Sequence, residues 1–108
     1  MSSMLGNIFA NIPRVLPEEL FETLFQKPGV KIERIVSKGH VTPEDEWYDQ
    51  AWDEWVILLQ GSATIKFENT TPVNLTPGDY CIIPAHTRHC VTRTESEPET
   101  IWLAVHCR

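Results

Sequence analysis

Apolar and polar residues alternate along most of this chain. In residues 62–68, Ala63, Ile65 and Phe67 point one way and Thr64, Lys66 and Glu68 the other, the two-residue period of a half-buried strand. The same reading predicts strands over 30–37, 54–60, 73–75, 80–83, 89–94 and 100–106. Asn69-Thr70-Thr71-Pro72 and Thr76-Pro77-Gly78-Asp79 are turn clusters between them. Lys38 to Glu46 reads as a polar loop, and Glu95, Glu97 and Glu99 mark a solvated hairpin loop. Near the N-terminus, Leu16, Leu20 and Leu24 recur every four residues, with Phe21 and Phe25 beside them. Pro17 suits a first helical turn, Glu18, Glu19 and Glu22 suit a helix start, and Pro28-Gly29 suits its end, so a short helix is expected there. Several short strands with turn signals between them predict an all-β sandwich or barrel carrying this N-terminal helix outside.

Length and composition narrow the picture. The 108 residues make one domain, with an arm and helix over 1–29 and a barrel over 30–108. Net charge is −6, which disfavours nucleic acid and anionic membrane surfaces. No apolar run reaches the ~20 residues of a membrane span, and the N-terminus lacks a signal-peptide pattern. Cys81, Cys90 and Cys107 are an odd set without a Cys-x-x-Cys spacing, so neither a disulfide framework nor a zinc knuckle is expected. Each reads as a small buried strand residue, and the chain as a soluble, reduced, cytoplasmic protein.

Two segments concentrate the chemistry. Trp47-Tyr48-Asp49-Gln50-Ala51-Trp52-Asp53-Glu54 is followed, six residues on, by Gly61; Gly78 is followed by Pro84-Ala85-His86-Thr87-Arg88-His89 and then Arg93. Both resemble the two motifs of the cupin superfamily, over roughly residues 39–93. The resemblance implies a double-stranded β-helix, or jelly-roll barrel. It also implies a divalent metal held by histidines and a glutamate, here zinc, nickel, iron(II) or manganese. Glu54 and His89 sit at matching positions. No histidine stands at the first motif's histidine positions, which fall on Tyr48 and Gln50 or on Trp47 and Asp49 according to spacing. Gln50 shares strand parity with Glu54 and is the preferred third ligand; Asp49 is the better ligand chemically but needs a bulge to turn inward. In the second motif His86 replaces a glycine and Arg93 an asparagine. The competing arrangement pairs Glu54 with Arg93 or His89 and binds no metal.

Further roles follow from placement. Tyr48 or His86 would move a proton beside such a site. Arg93 and Arg88 would hold substrate charge, and Trp47 and Trp52 would form an aromatic rim. Trp55 and Trp102 read as packing residues, His40 as a loop residue and His106 as a satisfied strand histidine. Cys90 should face away from His89. The functional expectation is a metal-dependent enzyme acting on a small polar or carboxylated molecule, by oxygenase, isomerase or lyase chemistry. The rivals are a non-catalytic small-molecule-binding module and a purely structural dimer with a degenerate site. Exposed strand edges imply a homodimer.

Overall fold

A computed structural model of the chain describes residues 4–108. Eight strands follow in order: β1 Leu20–Lys27, β2 Val30–Ser37, β3 Asp53–Gln60, β4 Ala63–Phe67, β5 Val73–Leu75, β6 Tyr80–Ile83, β7 His89–Thr94 and β8 Thr100–Cys107. They form a five-stranded sheet in the order β1-β2-β8-β3-β6 and a three-stranded sheet in the order β5-β4-β7. Every pairing is antiparallel. The alternating residues of both sheets meet in one core built on Val56, Leu58, Ile65, Ile83, Trp102 and Ala104.

The expected N-terminal helix is not formed; among the described residues there is no helix at all, and so none that could cross a membrane. Residues 20–27 are instead a strand paired with β2 from Leu20↔Val36 to Lys27↔Val30. A four-residue spacing of leucines fits a helix, but four is also twice the strand period, so Leu20 and Leu24 share a strand face equally well. Pro28-Gly29 acts as a hairpin turn rather than a helix stop: Gly29 has φ of +84°, as the third residue of a type II turn requires. A helix of this length has little stability of its own, whereas a strand here completes a ladder along β2.

Three devices position the interior. Gly61 joins β3 to β4 with φ of +84°, and a Cβ there would stand 2.6 Å from Thr100 Oγ1, so only glycine fits both the turn and the close approach. A bulge lies in the β4–β7 pairing, where Thr64↔Arg93 is followed by Ile65↔Val91. It reverses the alternation of β7, so Arg93, read from parity with His89 as inward, is exposed while Thr94 is buried. Arg34, itself buried, fastens the N-terminal arm across the back of β2 through the carbonyls of Ile8 (3.0 Å) and Ala10 (2.6 Å) and through the Glu22 carboxylate. Of the thiols, Cys81 and Cys90 are half-buried, whereas Cys107, expected to be buried, is exposed at the end of β8.

Candidate functional site

The barrel interior holds a cavity of about 70 Å³ between the two sheets, reached by polar side chains from six segments. Glu54 opens the inward face of β3 and lies directly across the ladder from His106 on β8. His89 opens the inward face of β7, and Glu33 comes from β2. Tyr48 and Gln50 come from the segment before β3, and Glu19 from the residue before β1. The Tyr48 segment is drawn in by a strand-like exchange with His89: Tyr48 N–H donates to the His89 carbonyl at 2.7 Å, and His89 N–H to the Tyr48 carbonyl at 3.1 Å. The walls are apolar, among them Phe21, Ile65 and Trp102. Glu33, Gln50 and His106 also line a wider surface depression bordered by Gln26, Lys31 and Trp52.

The electrostatics follow from burial. Glu54 is only 7% exposed. Desolvation raises its carboxyl above the ordinary value, opposed by the charges of His106 and His89 and by a hydrogen bond from Gln50. His106 Nε2 lies 2.8 Å from Glu33 Oε1; that hydrogen bond raises the imidazole and lowers the carboxylate, which is the signature of an ion pair. Lys31 Nζ stands 3.5 Å from the other Glu33 oxygen. His89 is 4% exposed, and its Nδ1 donates to the Thr87 carbonyl at 2.8 Å. That leaves Nε2 with no hydrogen-bond partner among the described residues, an acceptor whenever the ring carries a single proton. Burial likewise raises the Tyr48 hydroxyl and the Glu19 carboxyl, the latter hydrogen-bonded by Ser37.

The motif spacing and the barrel meet in a family match. The cupin-domain model covers residues 33–106. The chain is a cupin. A protein of Ralstonia eutropha JMP134, provisionally named a mannose-6-phosphate isomerase, is 46% identical over 97% of this chain and 98% of that one, with a TM-score of 0.93. A cupin of Methanocaldococcus jannaschii with a double-stranded β-helix fold matches at 18% identity, TM-score 0.69, over 90% of this chain and 86% of that one. KdgF from Halomonas sp. matches at 19% identity, TM-score 0.73, over 98% and 95%. The last two establish the fold, which is the jelly-roll the motifs implied. No curated protein matches the chain.

Within this cupin barrel the sequence candidates separate into two groups. Tyr48, Gln50, Glu54 and His89 line the cavity. Asp49, His86, Trp47, Arg88 and Arg93 do not, and Trp52 sits at the outer depression. Parity decides between neighbours: Gln50 turns inward to Glu54, while Asp49 turns outward to His86 Nδ1 at 2.8 Å. His86 stands where the family motif has glycine and keeps that residue's backbone, with φ of +60°; histidine is among the side chains that tolerate this region. Arg88 pairs with Glu68 at 2.7 Å over the Trp47 ring, and Arg93 bonds Ser62 and Thr64. The Trp52 ring carries the Arg108 guanidinium 4.6 Å from its centroid.

Sequence reasoning passed over Glu19 and Glu33, and assigned His106 only a structural part. Their signal lies in the β2–β8–β3 strand order, which no local pattern encodes. The donor set does not fit the family's metal centre in this arrangement. His106 Nε2 is committed to Glu33 and Asp49 to the surface. Among the described residues no three His, Cys, Asp or Glu side chains are placed to hold an ion together.

Proposed function

We propose that this cupin binds a small polar molecule in the Glu54–His89–His106 cavity and transfers protons on it, in an isomerase- or lyase-type reaction. The observation that carries the reading is Glu54: a buried carboxyl, raised by desolvation, set between two imidazoles at the floor of an apolar cavity. A carboxyl so tuned holds its proton nearer neutral pH and can give it to a carbonyl or hydroxyl oxygen, or take one from an adjacent carbon. His89 Nε2 is the complementary acceptor, and the Tyr48 hydroxyl, kept protonated by burial, is a donor. The isomerase name of the Ralstonia protein agrees with this reaction class. Its sugar phosphate agrees less well with this cavity, which has no Lys or Arg in its lining. Because the donors do not fit a metal, every step assigned here belongs to the side chains.

A second reading, binding without turnover, is favoured by the lack of a converged three-donor set among the described residues. One experiment separates the two. Small carbonyl, hydroxy and amino compounds are screened by thermal shift against wild type and Glu54→Gln, and binders are then incubated in D₂O and followed by NMR. Glu54-dependent exchange of a ligand C–H for deuterium supports proton-transfer catalysis. Binding without exchange supports the binding module, and no Glu54-dependent binding overturns the site.

We also propose a cytoplasmic homodimer. The three thiols are free, as a reducing compartment keeps them. Edge strand β1 leaves Leu24 and Phe25 about half exposed, apolar surface a second copy can cover symmetrically. Sedimentation of wild type and Phe25→Glu checks this: a dimer that dissociates in the variant supports it, and a wild-type monomer overturns it.

A further inference from the structure

We infer that the inner cavity takes a small cation bearing N–H donors, an ammonium or guanidinium group, rather than an anion. The inference rests on the cavity being the ligand site and names the chemistry of its ligand.

The argument is a count of free hydrogen-bonding capacity. Three donors that reach the cavity are already used: His106 Nε2–H is given to Glu33, Gln50 to Glu54, and Ser37 Oγ–H to Glu19; the Tyr48 hydroxyl is the donor left beside them. What else remains open is acceptor capacity, on the carboxyl oxygens of Glu54 and Glu19 and on His89 Nε2. His89 Nε2, which has no hydrogen-bond partner among the described residues, is open to a donor that enters the cavity. Charge points the same way. Glu33 is matched by His106 and Lys31, whereas neither Glu19 nor Glu54 has an ion pair with a Lys or Arg among the described residues. An anion entering here meets three carboxyls and, as cation, only the His106 imidazole already paired with Glu33; an ammonium meets the carboxyls of Glu54 and Glu19 and the aromatic walls of Phe21, Tyr48 and Trp102.

Size agrees. The cavity of about 70 Å³ has room for more than one water-sized occupant. A guanidinium or a propylammonium is a small probe on that scale. The groups facing Glu54 are His106 from β8, Glu33 from β2, His89 from β7, Cys81 from β6, and Tyr48 and Gln50 from the preceding segment. An entering cation adds to this set the positive charge that favours the carboxylate, so uptake should release a proton where Glu54 is still partly protonated.

Calorimetric titration of the intact protein with propylammonium, propionate, inorganic phosphate, 1,2-propanediol and zinc, at fixed ionic strength, tests this. Propylammonium is expected to bind at least about tenfold more tightly than propionate, phosphate or the diol. Glu54→Gln, which keeps the volume and the fold, should weaken it by a similar factor, and Asp49→Asn, on the surface, should leave it unchanged. Uptake weakening as the pH is lowered supports the same conclusion. Tighter binding of propionate, phosphate or zinc overturns it, as does propylammonium binding indifferent to Glu54→Gln. Glu54-dependent binding of the diol without the amine overturns the cation while leaving the site standing. Failure of every probe to bind in a Glu54-dependent way overturns both.

Discussion

Two histidine–carboxylate pairs in this barrel have the same 2.8 Å contact and opposite settings. His106–Glu33 lies in the cavity wall with side chains 15% and 9% exposed, and His86–Asp49 lies on the outer loops at 70% and 48%. Identical geometry has different consequences because the surrounding medium differs. Near the interior the pair is poorly screened and shifts both titrations in the ion-pair direction. On the surface, water and salt take up most of the interaction. The outer pair also sits on a backbone that disfavours its own residue, since His86 has φ of +60°. Chemistry therefore concentrates where a pair is both close and dry, and the outer pair's part is to tie residues 49 and 86 together.

The sharpest test of this comparison is to remove one partner from each pair. His106→Ala should cost about 2–3 kcal/mol in urea unfolding, because Glu33 keeps only the more exposed Lys31. Asp49→Ala should stay within about 1 kcal/mol. Equal losses would break the distinction. The pH profile adds the sign. Glu33, lowered on folding, contributes stability that is present above 4.5 and lost as pH falls through its folded value. His106, raised on folding, contributes stability that is present below 6.5 and lost as pH rises through its folded value. The pair is thus most stabilising between about 4.5 and 6.5, and His106→Ala should remove that maximum.

Glu54, across the ladder from His106, should behave in the reverse sense. Its carboxyl is raised mainly by desolvation, so the folded state holds its proton longer and stability falls as pH climbs from 4.5 through the folded value. Glu54→Gln should therefore melt higher than wild type at neutral pH, with the gap closing toward pH 4.5. A variant that melts lower at neutral pH would show that the two imidazoles outweigh the burial.

The smallest effect belongs to His86. His86→Ala loses the Asp49 contact and keeps the left-handed backbone, while His86→Gly loses the contact and relieves the backbone. The glycine variant should be more stable than the alanine variant by about 1 kcal/mol and close to wild type, measured by thermal unfolding. A glycine variant as unstable as His106→Ala would mean that the outer pair organises the loops over the cavity.

Much of this was legible along the chain. Seven of the eight strands follow from period-two alternation and turn clusters, because each needs only its own residues and a flanking Gly, Pro or Asn. The eighth, β1, was hidden by a leucine spacing that serves both periods and by a Pro-Gly pair that can end a helix or turn a hairpin. Glu54, His89, Tyr48 and Gln50 were found by motif spacing and parity. Arg93 was misplaced because parity counts residues, and a bulge adds one that the count does not see.

The sequence by itself determined the strand periods, the turns and which residues of one strand share a face, since these are properties of neighbours along the backbone. Tertiary structure alone decided that Glu54 faces His106, that Glu33 and Glu19 join them, and that Asp49 leaves for the surface with His86. These contacts link residues as far apart as Glu33 and His106, and their existence depends on strand order and register. So does the consequence that matters most for function: a carboxyl changes its protonation only when the fold removes its water, and no single segment can do that.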